Sequence, residues 1–243
     1  MKKLLGIFLF VFLCTLCLNC CAAEKKIETK NISGAETGLV GYWNFDEGEG
    51  KIAKDISGKA NNAEINEAEW VDGIKNKALE FYRADDCVEI PISPSLNITG
   101  NKLTMEAWIF PKDWEQNAYV ISIYDGAKGQ YGMGLTARES GNLKWYIFSD
   151  GVLIAKQSSV EQKLDSWHHF ATSYDGSAVS FYWDGELVDS QDVSGNIDST
   201  DMPLLIGKLG GLPLHFVGVI DEVKIYDRAL SADEIKAHYQ KNK

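Results

Sequence analysis

The chain has 243 residues, a formal net charge of -11 at pH 7 and 11% aromatic residues. An excess of acidic groups makes nucleic acid and anionic membrane surfaces poor partners, so neither is expected as a ligand. The length is sufficient for one large hydrophobic core.

Residues 1–23 have the pattern of a secretory signal peptide. Two lysines precede an apolar run that ends near Leu18, and small residues follow before Glu24. This order of regions predicts export, and the apolar run is too short for a membrane anchor, so no transmembrane segment is expected after its removal. The removal deletes two lysines and no acid, which changes the net charge from -11 to -13.

Two cleavage modes remain open at the end of this segment. The letters "CAA" before Glu24 suit an ordinary signal peptidase, and "CLNCC" resembles a lipoprotein box with Cys20 or Cys21 as the lipidated residue. The protein is therefore expected to be secreted, or held at the cell surface by a lipid. Only Cys87 lies beyond the segment, so the mature chain has no internal disulfide.

Residues 24–38 carry charge and small polar groups with almost no apolar side chains, which predicts a flexible tether. Residues 39–243 contain no second linker. They fit a single domain, because all-β sandwiches commonly reach this length as one unit.

From Leu39 onwards the chain consists of short runs rich in β-branched and aromatic residues, which predict strands. Asp-Gly pairs at 72–73, 125–126, 150–151, 175–176 and 184–185 separate several of them and predict tight turns. This spacing predicts more than a dozen strands in two packed antiparallel sheets.

Two local structures are sharply defined by their residues. In "AVSFYWDGELVDSQ" an alternating run is followed by Asp184-Gly185, which predicts a hairpin with a two-residue turn. Near the end of the chain, Ser231 and Glu234 have the spacing of a capping box and predict a short C-terminal helix.

Several stretches resemble the laminin G-like jelly-roll domains of the concanavalin A-like lectin and glucanase superfamily. They are "LVGYWNFDEGEGKIAKDISGKANNAEI", "WVDGIKNKALEF", "LTMEAWIFP", "SWHHFATSYDGSAVSFYWDGELVDS" and "GVIDEVKIYDRALSADEIKAHY". The resemblance runs in register from about Leu39 to Tyr239. It implies an all-β, two-sheet antiparallel jelly-roll sandwich with a short C-terminal helix, whose relatives bind carbohydrate or protein or accompany enzymes.

The adjacent pair Asp221 and Glu222 tests whether the chain is a sandwich glucanase. Such enzymes carry Glu-x-Asp-x-x-Glu on one strand, so that alternation directs the carboxylates into one cleft. Here Val219 and Lys224 occupy the two Glu positions, and alternation predicts that Glu222 faces away from Asp221. The sequence therefore argues against a glycoside hydrolase.

The acidic segments favour a calcium site instead. Ca²⁺ prefers several carboxylate and carbonyl oxygens drawn from loops. The resemblance implies a structural calcium ion held by Asp46, Asp55 and Asp221, with Glu47 as the ligand if Asp46 faces away. The alternative is that these acids only initiate turns or accept local hydrogen bonds.

Four residues are candidates for contact with a sugar, because aromatic rings stack on pyranose faces and glycine-rich loops form rims. Trp114 lies in a polar loop, and Tyr131 and His215 lie in glycine-rich segments. Trp145 is the fourth, and it is expected to face the opposite side of its strand from Tyr146. For each of them, packing on the protein's own sheet is the competing interpretation.

The sequence thus predicts an exported, noncatalytic binding module that recognises carbohydrate, such as a cell-surface glycan, and contains a structural calcium ion. An adhesion or scaffold module that binds an extracellular protein is the first alternative. A glycoside hydrolase is the second.

Overall fold

The computed structural model describes residues 36–113, 117–136, 142–160 and 163–243. The predicted signal peptide with Cys20 and Cys21, most of the predicted tether, and Trp114 lie outside the described residues. None of the helices in the described part is long and apolar enough to cross a membrane.

Sixteen strands and one helix make up the described residues. Their bounds are β1 Leu39–Trp43, β2 Ile52–Ala53, β3 Ala63–Asn66, β4 Glu69–Asp72, β5 Lys77–Phe81, β6 Cys87–Ile90, β7 Leu103–Asp113, β8 Ala118–Tyr124, β9 Gly129–Leu135, β10 Asn142–Ser149, β11 Val152–Ser159, β12 His168–Tyr174, β13 Ala178–Trp183, β14 Glu186–Asp192, β15 Leu204–Ile206, β16 Val217–Tyr226 and α1 Ala232–Asn242.

The strands form two antiparallel sheets of eight, which confirms the predicted jelly-roll sandwich. Sheet A has the order β14-β13-β12-β7-β16-β5-β4, with β1 also paired to β16. Sheet B has the order β11-β10-β9-β8-β15-β6-β3-β2. The main hydrophobic core lies between them and includes Trp43, Phe81, Met105 and Trp145. Because side chains alternate along a strand, the same strands send their other residues to the two outer faces.

The predicted hairpin between β13 and β14 is confirmed. Asp184 and Gly185 both have positive φ, at 53° and 77°. Two consecutive positive φ angles are the requirement of the type I′ turn, and Asp-Gly meets it at low steric cost. The Asp184 carboxylate also accepts a hydrogen bond from the His169 backbone at 2.9 Å, which fastens the turn to β12.

β16 lies inside sheet A and has three partners. It pairs with β7 along one edge, and with β5 and then β1 along the other. The register with β7 slips between Asp221 and Lys224, and Glu222 has a φ of 52°. This irregularity is a bulge, so Ile220 and Val223 both reach the core with two residues between them. The two adjacent acids have different partners: Glu222 contacts Tyr42 and Asn242, and Asp221 contacts the turn between β4 and β5.

Helix α1 covers the outer face of sheet A. Its capping box is confirmed: the Ser231 side chain accepts from the Glu234 backbone, and the Glu234 side chain accepts from the Ser231 backbone. Leu230 and Ile235 then pack with Tyr182 and Tyr226 of the sheet in a second hydrophobic cluster. The helix thus removes from water the apolar part of a sheet face that would otherwise be exposed.

A charged cluster is buried beneath the same helix. Glu106 is 1% exposed and lies 3.0 Å from the ammonium of Lys224. The His238 ring is hydrogen-bonded to Glu106 through Nδ1 at 3.0 Å and to Glu36 through Nε2 at 2.7 Å. Each buried charge therefore has an opposite partner, which such burial requires.

The N-terminal boundary of the sandwich differs from the prediction. Residues 36–38 belong to the folded unit, although the sequence placed them in the tether. The Thr37 carbonyl accepts from Arg228 Nε at 2.7 Å, and the Gly38 carbonyl accepts from the Asp227 backbone at 2.9 Å. Their composition indicated a linker, but long-range bonds to the C-terminal segment order them.

The pKa of His238 gives the first prediction. Burial lowers this pKa, but the hydrogen bonds to Glu106 and Glu36 outweigh burial and raise it to about 9. The folded state then binds the proton more tightly than the unfolded state, whose pKa is about 6.5. The contribution is complete below about pH 6.5, is lost as the pH rises through 9, and amounts to about 3 kcal/mol.

We therefore expect His238→Gln to be less stable than the wild type at pH 6, with a difference that shrinks as the pH rises through 9. Urea unfolding at a series of pH values measures it. His215→Gln, outside this cluster, is the control. A difference for His238→Gln that stays constant with pH would contradict the assignment.

Candidate functional site

The outer face of sheet B carries an aromatic cluster that the one described helix, α1, does not cover. Tyr119, Tyr146, Phe148 and Leu209 form it, and Tyr124 and Leu214 pack against it. Tyr146 makes edge contacts with the rings of Tyr119 at 6.2 Å and Tyr124 at 6.4 Å between centroids. Edge-to-face packing of this kind fixes the ring orientations.

Two glycines of β9 shape this face: Gly132 leaves room for the Tyr146 ring, and Gly134 allows a close approach of the β8 backbone. Gly132 pairs with Tyr146, and Gly134 pairs with both Lys144 and Tyr119. A Cβ atom at Gly132 would lie 2.5 Å from the Tyr146 ring, and one at Gly134 would overlap the Ala118 carbonyl. β9 therefore has no side chain at these two positions, and its neighbours extend over it.

A groove with a volume of about 260 Å³ lies over this cluster. Tyr119, Tyr124, Lys144, Tyr146, Leu153, Ala155, Gln157, Leu209, Leu212 and Leu214 line it. Leu153 and Leu212 are 50% and 40% exposed, so part of the apolar lining is open to solvent. Lys144 is the one charged residue among the described lining residues, and its ammonium lies 5.0 Å from the Tyr119 ring centroid.

Two predicted ligand contacts are wrong. Tyr131 and Trp145 are fully buried in the core between the sheets, and the Tyr131 hydroxyl donates to the Leu96 carbonyl at 2.9 Å. Neither side chain reaches a surface ligand. Trp114 lies outside the described residues. His215 is half-buried and pairs with Lys208, and its neighbours Leu212 and Leu214 line the groove in its place.

Sequence reasoning missed the groove tyrosines, although two signals were present. Since Trp145 and Tyr146 are adjacent on one strand, they must face opposite sides, and only one can enter the core. The structure assigns Trp145 to the core and Tyr146 to the outer face. The glycines of β9, which alternate with core residues, were the second signal.

The predicted metal ligands do not all lie together. Asp221 is fully buried, and its Oδ2 accepts from the backbone of Ile74 at 3.1 Å and of Lys75 at 3.4 Å. Asp46 is exposed, and its Oδ2 accepts from the side chain of Asn76 at 3.2 Å. Both acids thus contact the turn between β4 and β5.

Asp55 has a different role. Its carboxylate accepts backbone hydrogen bonds from Tyr42 at 3.0 Å, Ser57 at 2.8 Å and Asn61 at 2.9 Å. These bonds close the loop after β2 onto β1. The oxygens of this carboxylate are therefore already occupied by backbone donors.

The surroundings of Asp221 are nevertheless unfavourable for a bare carboxylate. Burial, and then the neighbouring Glu222 and Asp46, raise its pKa to about 8. Glu47 has an unsatisfied acceptor as well, because its Oε2 is buried and has no hydrogen-bond partner among the described residues. The described residues contain no group of three or more His, Cys, Asp or Glu side chains placed to hold a metal ion. Any ion here needs backbone or water oxygens as well.

A series of hydrogen bonds among Ser166, His168 and Asp184 resembles the arrangement in some enzyme sites. His168 lies between Ser166 Oγ, 2.9 Å from its Nε2, and Asp184 Oδ2, 2.9 Å from its Nδ1. A hydrolase triad has the same order of bonds. Here the His168 ring stacks on Trp183 with centroids 4.6 Å apart. Ser166, His168 and Asp184 do not line the groove. The bonds join the start of β12 to the β13–β14 turn.

The comparisons with known proteins agree with this fold. A model of the laminin G-like family of the concanavalin A-like lectin/glucanases superfamily matches residues 84–236. That match covers more than half of the chain, so the chain belongs to this family. None of the curated proteins compared with it matches.

Several solved structures share the fold at low identity. The binding domain of Paraclostridial Mosquitocidal Protein 1 is 20% identical with a TM-score of 0.69, over 84% of this chain and 52% of that one. Domain 4 of AbnA, a GH43 extracellular arabinanase from Geobacillus stearothermophilus, was solved with arabinotriose and is 19% identical with a TM-score of 0.68, over 83% of this chain and 98% of that one. The Botulinum neurotoxin serotype G binding domain is 15% identical with a TM-score of 0.66, over 83% and 50%. The chain thus spans about half of each toxin binding domain and nearly all of the arabinanase domain.

The glycine floor of the groove gives the second prediction. Gly132→Ala is expected to push the Tyr146 ring aside and to lower the free energy of unfolding by about 1–3 kcal/mol, as overpacking does. Near-UV circular dichroism and chemical denaturation measure the two effects. Gly100→Ala is the matched control, because a Cβ there meets nothing within 4 Å. Equal stability and equal tyrosine signals in both variants would contradict this account of the groove.

Proposed function

We propose that the chain is an exported, noncatalytic module that binds carbohydrate through the groove on the outer face of sheet B. The observation that supports this most directly is the groove itself, where tyrosine rings and leucines lie beside the polar side chains of Lys144 and Gln157. Binding sites typically combine such an apolar surface with a few polar groups that fix orientation.

The groove suits a sugar better than a flat protein surface. A pyranose presents an apolar face of C–H groups and a polar edge of hydroxyls, and the groove offers the same division. Its volume of about 260 Å³ lies just below the roughly 300–1,000 Å³ of drug-sized ligand sites, so we expect it to hold one or two sugar units. The arabinanase domain that was solved with arabinotriose has the same fold.

An adhesion or scaffold module remains the second candidate. It is favoured by exposed aliphatic residues on two edge strands, Val152 and Leu153 on β11 and Leu187 and Val188 on β14. Edge strands have unpaired backbone groups that can add a strand from a partner. The two candidates differ in the surface that they require: carbohydrate binding requires the groove, and the adhesion module requires an edge strand.

We also propose a structural calcium ion at the turn between β4 and β5. Asp46 and Asp221 would hold it, and Glu47 is the alternative ligand to Asp46. Two observations fit a cation: Asp221 is buried beside two further acids, and Glu47 has an unpartnered buried oxygen. Ca²⁺ would supply the missing positive charge and would join β16 to segments far away in sequence. Asp55 would contribute to the site only indirectly, because its carboxylate closes the loop that follows the segment of Asp46 and Glu47.

The third prediction tests the groove. Leu153→Asp places a charge on its apolar wall at an exposed position, so we expect binding of glycans on an array to weaken at least tenfold while the fold is kept. Val152→Asp is the matched control, because Val152 is 61% exposed and does not line the groove. Loss of glycan binding in both variants, or only in Val152→Asp, would assign glycan binding to the edge strand β11 and contradict a site in the groove. A wild type that binds no glycan at all would remove the carbohydrate proposal.

The fourth prediction tests calcium. Free calcium at a hundred times its dissociation constant should stabilise the wild type by about 2.7 kcal/mol. Asp221→Asn should lose most of this response, and Asp85→Asn, which removes a largely exposed acid, should keep it. Thermal unfolding with calcium and with a chelator measures the difference. No response in the wild type would leave Asp221 as a structural hydrogen-bond acceptor.

In the presence of chelator, the raised pKa of Asp221 also sets a direction with pH. A carboxyl whose folded pKa is about 8 binds its proton more tightly than in the unfolded chain. Its contribution therefore falls as the pH rises from about 4 to 8, and calcium should reverse this trend by favouring the ionised form.

A further inference from the structure

The groove has a polar end and an apolar end, and their order is fixed by strand register. Tyr119, Gly134, Lys144 and Gln157 form one row across β8 to β11, since each is paired to the next. The next row contains Tyr146 and Ala155, and beyond it lie Phe148 and Leu153. A ligand in the groove therefore meets an ammonium and an amide at one end and hydrocarbon at the other.

Lys144 and Gln157 have unused hydrogen-bond donors. The ammonium of Lys144 makes no ion pair with any described residue, and its described contact is the face of the Tyr119 ring. Gln157 is exposed and directly opposite Lys144 across the strand pair. An ammonium and an amide together offer up to five N–H donors, and the ammonium accepts none in return.

Charge distinguishes this end of the groove from the rest of the molecule. The chain has a net charge of -11, yet no described lining residue of the groove is acidic. A positive group retained in a partly apolar groove, beside donors without partners, is complementary to an anion. Neutral sugars need acceptors as well as donors, and this end offers few acceptors.

We propose that the groove recognises an acidic sugar, with the carboxylate of a uronic acid at Lys144 and Gln157 and the apolar face of the ring over Tyr146 and Leu153. This deepens the proposed carbohydrate binding and depends on it. The contact between ammonium and carboxylate is a charge-assisted hydrogen bond, which is stronger than one between neutral groups. The cation–π contact with Tyr119 positions the ammonium before the ligand arrives.

The experiment compares oligogalacturonate with its methyl ester, which has the same backbone without the charge, by isothermal titration calorimetry. We expect the acid to bind the wild type at least tenfold more tightly than the ester. Lys144→Met keeps the aliphatic stem and removes the charge, so it should abolish the preference. Lys144→Arg should keep most of it.

Lys156→Met is the matched control, because Lys156 lies on β11 next to Gln157 but does not line the groove. It should retain the preference for the acid. Circular dichroism verifies that each variant is folded.

Each outcome has a distinct meaning. If acid and ester bind equally, or if Lys144→Met keeps the preference, the acidic-sugar inference is overturned while carbohydrate binding stands. If a sulfated oligosaccharide binds as tightly as the uronate, the assignment to a carboxylate is overturned. If the wild type binds none of the acid, the ester or the sulfated sugar, while neutral glycans on the array do bind, only this inference fails. If neutral glycans are not bound either, the proposed function fails with it.

Discussion

The pairing of β16 constrains much of the remaining structure. This strand must bind β7 along one edge, and two different strands, β5 and β1, along the other. The change of partner occurs at Asp221 and Glu222, where a bulge with positive φ at Glu222 interrupts the ladder. Tyr42 and Asn242 donate to the Glu222 carboxylate at 2.5 and 3.0 Å, while Asp221 binds the turn between β4 and β5. The two acids thus lie where β16 changes its partner from β5 to β1, and each accepts hydrogen bonds from the segments that meet there.

The two outer faces of the sandwich differ in what covers them. On sheet A, α1 packs on a hydrophobic cluster that includes Tyr182 and Tyr226, and a buried set of paired charges around Glu106 fixes the helix in place. On sheet B no described helix lies over the aromatic cluster, and the glycines of β9 leave room for a groove. The outer face of sheet A is thus partly covered by the chain itself, and the outer face of sheet B has an apolar groove that is open to solvent.

Family membership and function have different foundations in this protein. The core pattern, the hairpin turns and the capping box are shared with many sandwiches, and such features determine the fold. A binding groove depends on which side chains leave the outer face and on how loops border it. The leucines between residues 209 and 214 show this, since nothing in their sequence indicated that they would lie beside Tyr146.

The sequence by itself determined the all-β class, the turn at Asp184-Gly185, the helix start at Ser231 and the membership of the family, because each depends on short-range periodicity or on a local motif. It also showed that Trp145 and Tyr146 face opposite ways. Only the tertiary structure decided which of them entered the core, that residues 36–38 were ordered by Arg228 and Asp227, and that Asp55 closed a loop while Asp46 and Asp221 met at another turn. Those outcomes depend on contacts between residues up to about 190 positions apart, for which one sequence carries no local signal.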